Sequence, residues 1–289
     1  MKRLLITGSG SKFTRLLIKQ LSDRFDQIYL LSRVTKSTYL FPNVFSINFD
    51  LKQSNSLPLE VDTIIHLAAV VPYNKPRDVN IDVYTDNIVM FKNLMHYAVK
   101  SGIKRVLFLS STDIYPLFCN DLVTHASYPA PHNEYGLSKL ACERIGFAIA
   151  ELEALCFSAI RLGPVYTEDE SGVNAVSCLL QDLRNNRPIT IYGKENIFCP
   201  LHVEGAVDAI VAALTVPSGS FLVTGHAMTT EDFFRRASIE YESESKISFA
   251  DKPTLRVQQR FDLHETKRVL GWEPYSVQHM FNRFGSEYG

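Results

Sequence analysis

A phenol and an ammonium one helical turn apart are the first residues here whose types and spacing could do chemistry. They are Tyr135 and Lys139, in the run Tyr135-Gly-Leu-Ser-Lys139. Residues i and i+4 share a face of a helix. A free phenol titrates near ~10, too high to exchange protons readily at neutral pH. A fixed ammonium one turn away favours the phenolate, so Lys139 is expected to lower that value. Upstream, the apolar run Val106 to Leu109 is bounded by Ser110 and Ser111, the way a buried strand ends at a sheet edge. The Ser111 hydroxyl could hold a substrate oxygen while Tyr135 gives or takes its proton, which is what hydride transfer at a carbinol or ketone requires. A Tyr-x-x-x-Lys pair alone is common, and most are a half-buried ring beside a solvated lysine. Context gives this one its weight, because it follows a strand ending in Ser-Ser and a glycine turn near residue 7.

The elements that must position these groups are legible in order. Leu4-Leu5-Ile6 reads as a short buried strand and Thr7-Gly8-Ser9-Gly10-Ser11 as a turn. From Lys12 to Asp23 the apolar spacing (Phe13, Leu16, Leu17, Leu21) is helical. Strand, glycine turn, helix is the context of a phosphate-binding loop, where glycines let the backbone approach a pyrophosphate and the helix start offers free N–H groups. The next strand, Gln27 to Leu31, ends in Ser32-Arg33 with Lys36 nearby, where a ribose 2′-hydroxyl would meet a carboxylate. A guanidinium there suits a 2′-phosphate, so NADP is expected ahead of NAD, the bland reading being a solvated surface arginine. Val44 to Phe49 is a third strand closed by Asp50-Leu51, and Val61 to Leu67 a fourth, followed by Ala68-Ala69, small enough for a flat cofactor to lie against the backbone. His66 reads as a packed strand histidine. A helix from about 81 to 101 carries Asn87 and Asn93 and stops at Gly102, and Lys104 to Leu109 is the fifth strand. This alternation predicts an α/β fold, an open, doubly wound parallel sheet with helices on both faces. Ligands of such sheets sit at the carboxyl ends of the strands, where the Gly8 loop, Arg33, Asp50, Ala68 and Ser111 would converge.

Beyond the helix at 135–154, Cys156 to Leu162 is another strand, running into Arg161-Leu-Gly-Pro-Val-Tyr166. A helix is expected at about 173–186, then the stretch Arg187 to Gly193. Leu201-His-Val-Glu-Gly205 leads into an apolar helix at 206–214, with His202 a structural residue at its start. Thr229 or Thr230, followed by Glu231, can cap a later helix. Near the end, Gly271 stops a short helix and Trp272 turns back as packing. A chain of 289 residues is long for one domain and short for two, so a main domain with a smaller lobe is expected. Residues 1–166, with 197–225 returning, form the dinucleotide-binding part, and 167–196 with 226–289 the smaller substrate-binding lobe.

With 46% hydrophobic residues the core is ample, and a formal net charge of −1 leaves no basic excess for nucleic acid. The five cysteines (Cys119, Cys142, Cys156, Cys178, Cys199) show no CxxC spacing. They fit reduced thiols in a cytoplasmic protein better than disulfides or a metal site. Met1 to Ile6 is too short an apolar stretch for a signal peptide, and no run of ~18 apolar residues suggests a membrane span.

Many short motifs in order make the chain resemble the extended short-chain dehydrogenase/reductase family, the NAD-dependent epimerase/dehydratase group acting mostly on nucleotide sugars. They are Leu5-Ile-Thr-Gly8, His66-Leu-Ala-Ala69, Asn87 with Asn93-Leu94, Ser110-Ser-Thr-Asp-Ile-Tyr115, Tyr135-Gly-Leu-Ser-Lys139, Arg161 with Gly163-Pro-Val-Tyr166, Pro188 to Gly193, Leu201-His-Val203 and Leu270-Gly-Trp272. The resemblance spans residues 3 to about 280 and implies a Rossmann-type domain with a smaller C-terminal substrate-binding lobe. It implies Ser111 as the group orienting the substrate oxygen, Tyr135 as acid/base, and Lys139 tuning it and binding the nicotinamide ribose. It implies cofactor contacts from Gly8, Gly10, Ser11, Lys12 and Phe13 in the loop, and from Ser32, Arg33, Asp50 and Leu51 at the next strand ends. Leu67, Ala68, Ala69 and Asn87, then Tyr135, Lys139, Gly163, Pro164 and Val165, complete that set. Val71, Ser111, Thr112, Asp113 and Tyr192 fall where substrate is expected, and no metal is implied. Members often dimerise through two helices per subunit, here about 87–100 and 136–152, with Leu140, Ile145 and Ala148 serving either that interface or the core.

Three departures shape the expectations. The family loop is TGxxGxxG, and Ser11 and Thr14 stand at its second and third glycines; Ser11 crowds the pyrophosphate or donates a hydrogen bond to it. The family's dehydratases carry acids directly after the catalytic Ser/Thr, whereas here Thr112 takes the first place and Asp113 the second, which disfavours a 4,6-dehydratase. The family's RDFVHV, whose arginine pairs with the nucleotide diphosphate, reads Phe198-Cys-Pro-Leu-His-Val203. The leading expectation is an NAD(P)-dependent oxidoreductase of a nucleotide-sugar carbinol or ketone, an epimerase or a 4-ketoreductase, the looser loop tilting towards the latter. The alternatives are a reductase of a non-nucleotide carbonyl, motivated by Phe198, and a non-catalytic binding or regulatory member. The intact Ser111, Tyr135 and Lys139 oppose the last.

Overall fold

A computed structural model describes residues 1–10, 12–33, 41–54, 56–71, 81–167, 174–250, 257–279 and 281. The chain opens with β1 (Arg3–Thr7), α1 (Lys12–Leu21), β2 (Gln27–Ser32), β3 (Val44–Asn48), β4 (Thr63–His66), α2 (Ile81–Lys100) and β5 (Arg105–Ser111). A single 3-10 turn, Thr112–Ile114, follows, then α3 (Glu134–Leu152), β6 (Cys156–Leu162), β7 (Val165–Tyr166), α4 (Ala175–Arg184), β8 (Ile189–Tyr192), β9 (Ile197–Phe198) and β10 (Leu201–His202). The last elements are α5 (Val203–Ala213), β11 (Gly219–Val223), β12 (Met228–Thr229), α6 (Thr230–Glu240), β13 (Ile247–Ala250) and α7 (His264–Leu270).

Contacts divide the chain into two compact units. The first comprises Met1–Tyr115, Tyr128–Arg161 and Val207–Phe221. Seven strands form its sheet in the order β11-β6-β5-β4-β1-β2-β3. Strands β1 and β2, β1 and β4, β2 and β3, and β4 and β5 pair in parallel. The chain thus builds β2 and β3 to one side of β1, then returns to lay β4, β5 and β6 on the other, the Rossmann-type doubly wound topology. Its switch point lies between β1 and β4. The central strands are buried on both faces, with Leu4, Leu5, Ile6, Ile64, Ile65, Val106 and Leu107 inaccessible, as expected of parallel strands covered by helices. Helices α2 and α3 pack on each other, and Phe91, Leu94, Met95, Phe108 and Phe157 fill the core between helix and sheet. Gly146 makes room for this: a Cβ there would stand 2.3 Å from the Phe157 ring.

The second unit comprises Pro116–Ser127, Leu162–Ala206 and Leu222–Gly289. Here β8 pairs with β13 and β7 with β10 in parallel, and β9 with β12 antiparallel. Tyr166, Leu180, Leu183, Ile189, Ile191, Phe233, Phe234 and Phe281 make its core. The segment 116–127 joins it through backbone bonds from Cys119 N to Gln258 O (2.9 Å) and Val123 N to Arg260 O (2.8 Å). Thr229 caps α6 by accepting the Asp232 N–H. Helix α5 begins at Val203, ahead of the expected 206, because His202 Nδ1 accepts the Glu204 N–H at 3.3 Å and so satisfies one of the free amides of its first turn. Trp272 is buried and donates to the Gly205 carbonyl at 2.9 Å, the packing anchor expected of it. Among the described residues no helix is long and apolar enough to cross a membrane.

Candidate active site

The glycine turn after β1 is built from both sequence and contact. Gly8 has φ +80, and a Cβ on it would lie 2.8 Å from the Ala68 amide nitrogen, so conformation and close approach both demand glycine. Its N–H donates to Leu31 O at 3.0 Å. Thr14, which replaces the family's third glycine, is buried, and its Oγ1 donates to the Gly8 carbonyl at 3.2 Å. The substitution therefore ties the turn to α1. Thr7 Oγ1 accepts the Ala68 N–H at 3.2 Å and pairs with His66 Nδ1 at 2.7 Å, joining the loop after β4 to the end of β1. His66 is the packed strand histidine expected; burial first, and the Lys139 charge second, push its pKa down to about 3. At Gly10 an added Cβ meets nothing within 4 Å among the described residues, and its φ is not positive. The described neighbours do not call for glycine there, and a helix start with open space beside it could hold an anion such as a pyrophosphate. Lys12 begins α1, Phe13 is half-buried on its first turn, and Ser11 lies outside the described residues.

At the carboxyl ends of β2 and β3 an open cleft of about 520 Å³ is lined by Arg33, Asn48, Phe49, Asp50, Gln53 and Ser54. Ser32 ends β2 half-buried and Arg33 is exposed; Lys36 lies outside the described residues. Asp50 Oδ1 accepts the Lys52 N–H at 2.9 Å, closing a tight turn, and Leu51 is buried. Leu67 is buried at the next strand end, Ala68 and Ala69 half-buried, and Val71 exposed. Buried Asn87 holds that loop in register. Its Oδ1 accepts the Val70 N–H (2.8 Å), and its Nδ2 donates to Val70 O (3.1 Å) and Ser138 Oγ (3.0 Å). Both amide protons are thereby spent within the protein, so the part open to Asn87 is to hold Val70 in place.

The proton-transfer face stands at the start of α3. Asn133 caps the helix, its Oδ1 accepting the Gly136 N–H at 2.6 Å. Gly136 packs so closely on the 3-10 turn that a Cβ would stand 2.1 Å from Asp113 O. Ser111 Oγ accepts the Asp113 N–H at 3.1 Å, which orients the hydroxyl and leaves its proton for another partner. Lys139 is buried; its Nζ donates to Leu109 O at 2.7 Å and lies 4.8 Å over the Phe108 ring and 5.5 Å over the Tyr135 ring. Burial lowers the Lys139 pKa to about 8, against the opposing charges of Cys142 and Glu143. The Tyr135 phenol is not lowered as its spacing to Lys139 suggests. Burial first, and the Asp113 charge second, push it above its ordinary value. The ammonium itself is held by the Leu109 carbonyl and meets the tyrosine at its ring.

Behind this face, Glu143 and Arg161 form a buried pair, with Arg161 Nη2 on Glu143 Oε2 at 2.9 Å and Nη1 donating to Tyr115 Oη at 2.6 Å. Breaking one partner of such a pair costs about 3–5 kcal/mol, because the other charge is stranded. It joins α3 to β6 and to the residue following the 3-10 turn. Arg161 was visible as a motif residue; its partners were not.

In the second unit, Gly163 N donates to Val223 O at 2.9 Å, and a Cβ on Gly163 would lie 2.9 Å from the Thr224 side chain. Pro164 is exposed and its carbonyl accepts the Leu201 N–H (2.8 Å), while Val165 O accepts from Asn174 Nδ2 (2.6 Å). Tyr192 is exposed at the end of β8. Phe198, which replaces the family's arginine, turns its ring onto Phe233 at 5.4 Å and joins that unit's core.

A switch-point sheet, a glycine turn at a helix start and a Tyr/Lys pair on the helix after β5 define a Rossmann-type α/β protein of the dehydrogenase/reductase class. The chain belongs to the NAD dependent epimerase/dehydratase family, whose model matches residues 4–223. It is thus an enzyme of the extended short-chain dehydrogenase/reductase type. A UDP-glucose 4-epimerase of Vibrio cholerae is 27% identical over 310 aligned positions, covering 94% of this chain and 91% of that one. In fold it is similar to the UDP-N-acetylglucosamine 4-epimerase of Bacillus cereus (TM-score 0.85, 18% identity, 100% of this chain and 96% of that one). A dTDP-glucose 4,6-dehydratase of Bacillus anthracis in complex with NAD matches equally (TM-score 0.85, 16% identity, 100% and 96%).

Proposed function

We propose that the chain oxidises and reduces a carbinol or ketone carbon of a nucleotide sugar, as a 4-epimerase or 4-ketoreductase, with a bound nicotinamide dinucleotide. The observation that carries this reading is the meeting of Tyr135, Lys139 and the Ser111-capped turn at the start of α3. The family membership and the similarity to a UDP-glucose 4-epimerase support it. The residues fit the cofactor: the amides of the Gly8–Gly10 turn and the start of α1 would hold the pyrophosphate, and the cleft at Arg33 and Asp50 the adenosine. Arg33, with no carboxylate beside it on β2, favours a 2′-phosphate, so NADP is the proposed preference. The bound nicotinamide supplies the hydride acceptor and donor.

The protein's own part is to hold and move a proton. Ser111 donates to the substrate oxygen and fixes its position. Tyr135, kept protonated by burial, is poised to give its proton to a carbonyl oxygen as hydride arrives. Lys139 supplies positive charge 5.5 Å from the tyrosine ring centroid as the proton leaves. Thr112, Asp113 and Val71 are the proposed substrate neighbours in the first unit. A reduced compartment suits five cysteines that form no disulfide, and a homodimer is proposed through α2 and α3, on which Leu137, Ala148 and Leu152 are exposed.

The test is turnover of UDP-glucose and related 4-keto and 4-hydroxy nucleotide sugars with NAD and NADP, followed by absorbance of reduced nicotinamide and by NMR of the sugar. Tyr135→Phe is expected to bind cofactor normally and to lose at least ~10²-fold in turnover. Undiminished turnover by that variant would remove Tyr135 from the role.

A further inference from the structure

We propose that Asn93, on the helix between β4 and β5, is a positioning residue for the adenosine-binding cleft at the ends of β2 and β3. The proposal rests on the dinucleotide reading above and adds a residue to it. In a doubly wound sheet each half takes one nucleotide of the pair, and the residue ending β2 meets the adenosine ribose. The cleft lined by Arg33, Asp50, Gln53 and Ser54 belongs to that half, while α2 belongs to the other.

Helix α2 nevertheless grips the cleft's turn at two points. Asn93 Nδ2 donates to the carbonyl of buried Leu51 at 2.6 Å, and Asp86 pairs with Lys52 at 2.9 Å. Within the turn, Asp50 is committed through Oδ1 to the Lys52 amide and through its carbonyl to Gln53 N (3.0 Å). Asp50, Gln53 and the start of Ser54 therefore move with Leu51 and Lys52 as one piece. The Lys52–Asp86 pair is half-exposed, and such a pair holds weakly. The Asn93 bond is short and part-buried, and the carbonyl it ends on loses this donor if the amide is removed. The same helix fixes Val70 through Asn87 and meets Ser138 on α3, so α2 sets the cleft relative to the loop after β4 and the helix carrying Tyr135.

The experiment measures binding of NADP⁺, NAD⁺, AMP and nicotinamide mononucleotide to the full chain by ligand-observed NMR, with melting temperatures in parallel. Asn93→Asp, which keeps the shape and removes the donor, and Asn93→Leu are compared with wild type. The expected result is a rise of about tenfold in the dissociation constants of NAD⁺ and AMP, with nicotinamide mononucleotide unchanged. Unchanged AMP binding overturns the proposal. So does an equal loss for both mononucleotides, which makes Asn93 a general support of the fold. If neither Asn93 variant folds, Asn93→Ser, which removes the amide donor with a smaller change of bulk, takes their place with the same expected rise for AMP; no change in AMP then overturns the proposal. A wild-type chain that binds no dinucleotide refutes the cofactor reading and this proposal together, whereas wild-type binding with insensitive variants refutes only the proposal.

Discussion

Replacing Gly136 with alanine should separate the chemistry of this protein from its stability. The added Cβ would stand 2.1 Å from Asp113 O and 2.7 Å from its carbonyl carbon, and ordinary contact begins at 3.4 Å. The start of α3 and the 3-10 turn must therefore part by about 1 Å, since repulsion at such distances far exceeds any single attractive contact. The helix start cannot swing freely, because the Gly136 N–H is held by Asn133, a cap worth about 1 kcal/mol. Overpacking costs about 1–3 kcal/mol, and alanine's better helix propensity returns up to about 1 kcal/mol of that. The net loss, up to about 3 kcal/mol, leaves a folded protein, melting some degrees lower. Chemistry suffers more. Tyr135 precedes the substituted residue and Ser111 caps the displaced turn, and a misplacement of about 1 Å can cost on the order of 10²-fold in rate. The assay compares turnover, dinucleotide affinity and melting temperature. Affinity should hold within about twofold, because the Gly8 turn and the Arg33 cleft are untouched. Gly102→Ala is the control: φ is +63 but nothing lies within 4 Å of its Cβ, so it should cost about 1–2 kcal/mol and no turnover. A Gly136→Ala protein with wild-type turnover would refute the claim that this contact sets the Tyr135–Ser111 geometry.

Two further outcomes are expected. Gly10→Ala should leave the melting temperature unchanged or slightly higher, since its Cβ meets nothing, yet weaken dinucleotide binding about tenfold or more by crowding the pyrophosphate; equal titration curves for the variant and wild type would detach this turn from the cofactor. His66, whose pKa lies at about 3 in the fold against 6.5 ordinarily, binds its proton more readily when unfolded. Its contribution is therefore complete above about pH 6.5 and is lost as pH falls towards 3, with a total on the order of several kcal/mol. Urea midpoints of wild type and His66→Gln should converge as the pH drops from 7 to 4, and parallel curves would contradict the assignment.

The fold was legible because its signals are local. Apolar runs at β1, β4, β5 and β6, the positive-φ glycine at 8 and the helical spacing between strands are each read within a dozen residues, and β-α alternation then leaves little but a doubly wound sheet. The exchange of 116–127 into the second unit had no such signal, because Cys119 and Val123 find their partners at 258 and 260. At the site, the sequence by itself determined which chemical groups are present: Ser111, Tyr135 and Lys139 at spacings that a strand end and one helical turn can use. It also determined the glycine at 8, which no other residue can replace at φ +80. What only the tertiary structure decided is where those groups point and what holds them. Lys139 faces a carbonyl 30 residues upstream, Glu143 meets Arg161, Thr14 turns a missing glycine into a tie, and Asn93 reaches a carbonyl at a separation of 42 residues. Spacing along one helix constrains only which face a side chain shares. Its partner and its pKa depend on groups that other strands bring within hydrogen-bond distance, and on the water that packing removes.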